Sequence, residues 1–245
     1  MAKITEIKTK IIFDSTCQTL VNTVNCDGVM GRGIALEYKY RFPKMYGAYA
    51  EVCEKKLLKP GLLYIYKESK PWILNFPTKV HWKYPSKIEY LELGLKKFTE
   101  TYLDKKITSI AFPQLGASLG GLQWEDVKSL MYQYLEPLND IDIEIYHSDH
   151  KAKDSLFDRL FLKIHKFEPG DYKRCLDINE KQALLLTDAF NSQNINTMLE
   201  LQNINGLGEK TFEKIYKYES VNNNKKKSSN TREGEQLLFN LNNIT

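Results

Sequence analysis

Residues 19–41 read TLVNTVNCDGVMGRGIALEYKYR. Thr19–Val24 is a short apolar run of strand type, and Gly33–Arg41 has helical composition. Between them lie Gly28, Gly31 and Gly33. Glycines at a strand-to-helix junction let backbone N–H groups approach an anion at the helix N-terminus. Asn22 and Asn25 can offer amides to sugar hydroxyls. The spacing is not GxGxxG, and no Lys-Ser/Thr follows, so neither a Rossmann fingerprint nor a P-loop is supported. Taken alone, a Gly-rich turn capped by asparagines explains the stretch equally well.

The same arrangement recurs downstream. Ile107–Phe112 reads as a buried strand, PQLGASLGGLQW follows at 113–124, and Trp124–Leu135 reads as a helix. Gly116, Gly120 and Gly121 thus form a second anion-type loop, and two such loops side by side would suit a diphosphate. A third strand, Trp72–Phe76, runs into NFPTKVHW at 75–82 and places Lys79 at a strand end. A lysine in a partly apolar pocket has a lowered pKa and gains nucleophilicity. By itself, a surface lysine is the commoner explanation.

Around these stretches the pattern keeps alternating. Ile4–Phe13, Gly61–Lys67 and Ile141–His147 read as strands, and Lys44–Lys56 as a helix after Pro43. Ser86–Leu103 carries Ile88, Leu91, Leu95, Phe98 and Tyr102 at helical period. The expected fold class is α/β, a three-layer α/β/α sandwich around a mixed sheet over residues 1–150. Residues 151–220 read as a small, mainly helical region, and 221–245 as a flexible polar linker with a short apolar tail.

Composition sets bounds but no function. The 245 residues are 42% apolar and 27% charged, ordinary globular values that argue against disorder of the whole chain. The net charge of +4 is too mild to prove a nucleic-acid partner, and splitting the chain at 150 leaves each half equally mild. Four scattered cysteines without a CxxC pair fit a reducing compartment. The N-terminus lacks a signal-peptide core, and no apolar run approaches the length of a membrane span. The expectation is a cytoplasmic protein with no membrane association. The HSDH run at 147–150 lacks zinc-type spacing, so neither a metal nor a cofactor is expected.

Three blocks carry a family resemblance: VNTVNCDGVMGRGIALEYKYRFP (21–43), NFPTKVHW (75–82) and SIAFPQLGASLGGLQWEDV (109–127). In this order and at this spacing they resemble the macrodomain family, above all its DarG-like branch, over roughly residues 5–148. Macrodomains bind ADP-ribose, and some hydrolyse it from proteins or nucleic acids. The DarG-like branch removes it from thymine in DNA, reversing DarT-type toxins, in bacteria and phages. The resemblance implies that Asn22 and Asn25 match family asparagines, with Asn25 at the distal ribose. It implies a first phosphate loop of Val29, Met30, Gly31, Arg32, Gly33 and Ile34, up to Ala35. The second would be Leu115, Gly116, Ala117, Ser118, Leu119, Gly120 and Gly121, beside Pro113. Lys79 would be catalytic, flanked by Thr78 and His81.

Lys79 would either attack the anomeric carbon or stabilise charge on the departing base. A thymine imide anion leaves readily, so no paired carboxylates are needed. Two departures from the family pattern matter. A related human enzyme acting on glutamate pairs its lysine with an aspartate where this chain has Gly120. Many macrodomains also carry an adenine-binding Gly-Asp where this chain has Lys10-Ile11, with Asp14 nearby. The implied function is DNA ADP-ribosyl glycohydrolase. The alternatives are a non-catalytic ADP-ribose reader, a toxin-neutralising binder and a protein-glutamate hydrolase.

Beyond residue 150, LQNINGLGEKTFEKI (201–215) resembles a helix–hairpin–helix. Gly206 and Gly208 would offer N–H groups to DNA phosphates, with Lys210 and Lys214 adding charge. Gln236–Phe239 resembles a shortened sliding-clamp peptide.

Overall fold

The computed structural model describes residues 2–148, 152–192 and 195–219. The clamp-like peptide, Asp149 and His150 lie outside the described residues. Six strands form one sheet: β1 (Lys3–Ile7), β2 (Thr19–Val24), β3 (Tyr64–Tyr66), β4 (Trp72–Pro77), β5 (Ser109–Pro113) and β6 (Asp142–Tyr146). Their order is β1-β6-β5-β2-β4-β3. Every neighbouring pair is parallel except β3–β4, which is antiparallel. Helices α1 (Gly33–Arg41), α2 (Pro43–Glu54), α3 (Ile88–Thr101) and α4 (Trp124–Leu135) complete the layers.

The sheet is buried on both faces, as parallel strands require. Leu20, Val24 and Ile73 pack with Tyr38, Met45 and Tyr49 of α1 and α2. Val21, Leu74 and Phe76 pack with Leu91, Leu95 and Phe98 of α3 and with Val127 and Met131 of α4. These are the three layers of a macrodomain-type sandwich. Gly94 lets α3 lie close to the sheet, because a Cβ there would sit 2.3 Å from Phe76 Cζ. Pro43, expected to separate two helices, takes the first position of α2, where its missing N–H costs nothing.

The strand expected over 4–13 stops at Ile7, and Ile12–Asp14 is a single 3-10 turn. The β3 strand shortens from the expected 61–67 to three residues. The chain divides into two units, residues up to 158 with Asn196–Leu199, and the remainder.

Beyond α5 (Ser155–Ile164) come a helical turn α6 (Pro169–Asp171), a π-helical stretch Tyr172–Leu176, α7 (Glu180–Asn191), the single turn α8 (Met198–Leu201) and a helix over 209–219. Asn179 and Gln182 form a capping box that starts α7. Gly206 adopts φ +97°, and Leu207 is buried beside exposed Gly206 and Gly208. Lys210 is exposed. Lys214, expected to face DNA, donates instead to the Asp177 carboxylate and carbonyl, at 2.9 and 2.7 Å. Lys173 and Lys214 together hold Asp177 down at a pKa of about 2. This surface pairing lies within the same unit as the Gly206–Gly208 turn.

Candidate active site

Strands β5, β2 and β4 are adjacent and parallel, so their C-terminal ends emerge along one edge of the sheet. The segments 25–33, 78–87 and 114–123 therefore meet there, outside the carboxyl ends of the strands where open α/β sheets bind ligands.

Asn25 builds the first loop. Its Oδ1 accepts from the N–H groups of Asp27 (2.9 Å) and Val29 (3.3 Å), and its Nδ2 donates to Val29 O at 2.6 Å. The Tyr49 hydroxyl donates to Asn25 O from α2. One amide hydrogen of Asn25 remains for a ligand. Asn22 is fully buried and donates to Asn75 Oδ1 at 3.0 Å across the β2–β4 register. It also lies 3.8 Å from Met30 Sδ, which pins the loop from beneath. Its side chain therefore braces the site and reaches no sugar. Val29, Gly31 and Arg32 are exposed, and Gly33 and Ile34 are half-buried at the start of α1. The first turn of a helix leaves N–H groups without intrahelical partners, so this edge offers donors to an anion.

In the second loop Pro113, Leu115, Gly116 and Gly120 are buried. Ala117 is half-buried, and Ser118, Leu119 and Gly121 are exposed. Ser118–Gly120 forms a 3-10 turn, closed by the Gly120 N–H to Ala117 O at 2.7 Å. Ser118 holds φ +45°, a left-handed conformation costing about 1 kcal/mol. Gly33 has φ +60°, and a Cβ there would come within 2.8 Å of Leu119 Cδ1, so the two loops are in contact.

The third segment ties both together. Lys79 Nζ donates to Leu119 O at 2.8 Å, and burial lowers the Lys79 pKa below the ordinary lysine value. The N–H of Cys26 donates to Val80 O, Asp27 Oδ2 accepts from the Trp82 N–H at 2.8 Å, and the Ser86 N–H donates to Gly120 O. Thr78 is buried and donates its N–H to Val24 O. His81 Nδ1 accepts from the Lys83 N–H at 3.2 Å and stands 3.8 Å from Asp27.

Sequence reading missed Ser86, Tyr49 and Asp27. Ser86 lies directly under Gly120, where a Cβ would meet Ser86 Oγ at 2.7 Å. Nothing in one sequence announces that approach. Met30, Pro113, Leu115 and Thr78, expected among the ligand contacts, are buried. The Asp14 carboxylate accepts from the N–H and hydroxyl of Ser155. Among the described residues no cluster of three or more His, Cys, Asp or Glu side chains could hold a metal, and no helix is long and apolar enough to cross a membrane.

The family model for the Macro domain matches residues 21–131. The macrodomain of Mycobacterium tuberculosis DarG superposes with a TM-score of 0.57 at 38% identity, covering 60% of this chain and 98% of that one. This chain belongs to the macrodomain family. The Thermus aquaticus protein named DNA ADP-ribosyl glycohydrolase is 41% identical over 146 residues, 58% of this chain and 41% of its own length. A solved structure of Thermosipho africanus DarTG in complex with ADP-ribose matches at 36% identity and a TM-score of 0.54, over 71% of this chain and 44% of that one. The macrodomain thus matches almost the whole of the isolated DarG macrodomain, but this chain spans about two fifths of the length of the curated relatives.

Proposed function

We propose that this chain is an ADP-ribosyl glycohydrolase that removes ADP-ribose from thymine in DNA. The observation that carries it is Lys79, half-buried and donating to Leu119 O at the meeting point of two loops that present backbone donors. An ADP-ribose reader needs the loops but has no use for such a lysine. The names of the Thermus and Mycobacterium relatives support the same reaction. The Thermosipho relative named a transferase–glycohydrolase fusion supports a DarT-like transferase as partner; we place the reaction in the cytoplasm.

In this reading the loop at 29–35 and the loop at 115–121 hold the diphosphate, and Asn25 orients the distal ribose. Lys79, acting as the neutral amine, attacks the anomeric carbon, and burial lowers its pKa in the direction that step needs. The bond to the thymine ring nitrogen breaks, and its electron pair leaves on the base, which takes a proton from water. Water then hydrolyses the lysine–ribose adduct, giving ADP-ribose and free Lys79. Gly120 bears on substrate choice. An aspartate there would crowd the Ser86 side chain, which disfavours the lysine–aspartate pairing suited to glutamate esters.

The pH profile tests the role of Lys79. Deprotonation supplies the nucleophile, so single-turnover release should rise with pH and level off below the ordinary lysine pKa of 10.5. A rate that falls with pH over that range would instead show the ammonium at work. Release from an ADP-ribosylated glutamate peptide exceeding that from DNA would overturn the substrate assignment.

The 201–215 segment is the proposed site of non-specific DNA contact, through the Gly206–Gly208 turn and Lys210. Its exposed glycines and the exposed Lys210 support that role.

A further inference from the structure

Beyond Lys79 the chain builds a surface that ADP-ribose does not require. A cavity of about 320 Å³ is lined by Val80, His81, Tyr84, Pro85, Lys87 and Tyr90. Beside it Trp82 is 51% exposed and Tyr84 66% exposed. The rings are mutually arranged. His81 stacks on Trp82 with centroids 6.0 Å apart and an interplanar angle of 21°, and Tyr84 lies 5.2 Å from His81. Two ammonium groups stand over this surface, Lys83 over Trp82 at 5.2 Å and Lys87 over Tyr90 at 5.7 Å. Among the described residues neither is held in an ion pair.

The segment is also rigidly mounted. The Trp82 N–H is fixed by Asp27 of the first loop, and the Ser86 N–H by Gly120 of the second. Large aromatic residues left in water next to a reaction centre cost solubility and contribute nothing to the core.

We propose that residues 80–90 form a stacking platform for single-stranded DNA flanking the modified base. The inference rests on the reading of the site as a DNA ADP-ribosyl glycohydrolase. Its physical basis is fourfold. A thymine carrying ADP-ribose on its free ring nitrogen cannot form its Watson–Crick pair, so the substrate strand is locally unpaired and its neighbouring bases are open to stacking. Every base offers a π-face to Trp82 and Tyr84, which makes the contact tolerant of sequence. Lys83 and Lys87 complement the phosphates of the same strand. Finally, the platform begins at Val80, the residue after Lys79.

The test compares two substrates with the full chain: ADP-ribosyl-thymidine as a nucleoside, and the same adduct inside a single-stranded oligonucleotide of about twelve nucleotides. Wild type should show a kcat/KM roughly tenfold higher on the oligonucleotide. The Trp82→Ala/Tyr84→Ala variant should lose most of that preference through KM, with a far smaller change on the nucleoside. Lys83→Ala/Lys87→Ala should flatten the salt dependence of oligonucleotide KM by about 0.7 in log–log slope per lysine. Equal kcat/KM on both substrates, or an unchanged preference in the aromatic variant, would overturn the platform.

A parallel measurement separates this failure from failure of the enzymatic reading. Fluorescence anisotropy of an unmodified, labelled oligothymidylate should show binding that weakens about tenfold in the aromatic variant, whether or not ADP-ribose is released. Release without any such binding difference would reject the platform and leave the hydrolase standing.

Discussion

Gly120 and Ser86 approach so closely that a side chain at residue 120 would have to displace the serine. The Ser86 hydroxyl is buried without a partner, and a Cβ at Gly120 would crowd it at 2.7 Å. Gly120→Ala should therefore cost about 1–3 kcal/mol of stability by overpacking, measured by urea denaturation. Adding Ser86→Gly should recover much of that loss, and no recovery would mean that the steric account is wrong. Lys79 and Asn25 were singled out at strand ends in the sequence, and their roles came from the family resemblance, because a strand-end lysine alone reads more readily as a surface residue. Ser86 was not, because its importance lies in a distance between residues 34 positions apart. Asn22 was legible as a special residue but not in its role. Only the β2–β4 register shows that its partner is Asn75.

At the scale of elements, the site exists because β5, β2 and β4 lie side by side and point the same way. Strand β2 and helices α1 and α4 could be bounded from sequence to the residue, since the apolar run of β2, Gly33 at the start of α1, and Pro43 and Pro137 just beyond the two helices marked their limits. The order of strands could not be read, because it depends on non-local pairing. The early end of β1 was also hidden. Residues up to Phe13 remain apolar enough for a strand, yet Ile12–Asp14 turns back as a 3-10 helix. Close seating of α3 on the sheet depends on Gly94. Gly94→Ala would gain about 1 kcal/mol of helix propensity and lose more, because the new Cβ lies 2.3 Å from the Phe76 ring. A lower melting temperature is expected, relieved by Phe76→Leu. An unchanged or higher value would refute the packing argument.

Across the first unit as a whole, one buried ionic network ties the anion-loop helix to distant chain. Arg41, at the end of α1, donates to Glu37 one turn back and to both oxygens of Asp154, at 3.1 and 3.3 Å. Asp154 also accepts from the N–H groups of Leu156 and Met198. Glu37 and Asp154 are both buried, and burial raises the Glu37 pKa to about 7 despite its arginine partner. Truncating Arg41 to Ala leaves two buried carboxyl groups without their cation and should cost about 3 kcal/mol in chemical denaturation. Arg41→Ala/Glu37→Gln should recover part of it; a single variant as stable as wild type would contradict the network's importance. The sequence hints at the i, i+4 pair but not at Asp154, which lies 113 positions away.

The central claim is that Lys79 makes this macrodomain a hydrolase of ADP-ribosylated DNA. The most direct measurement is release of ADP-ribose from an oligonucleotide carrying ADP-ribosylated thymine, with wild type and Lys79→Ala side by side and ADP-ribose affinity measured for both. The account predicts release by wild type, a loss of at least about a hundredfold in the variant, and similar ADP-ribose binding by the two. Tight binding of ADP-ribose with no release by wild type would contradict it and mark the chain as a reader.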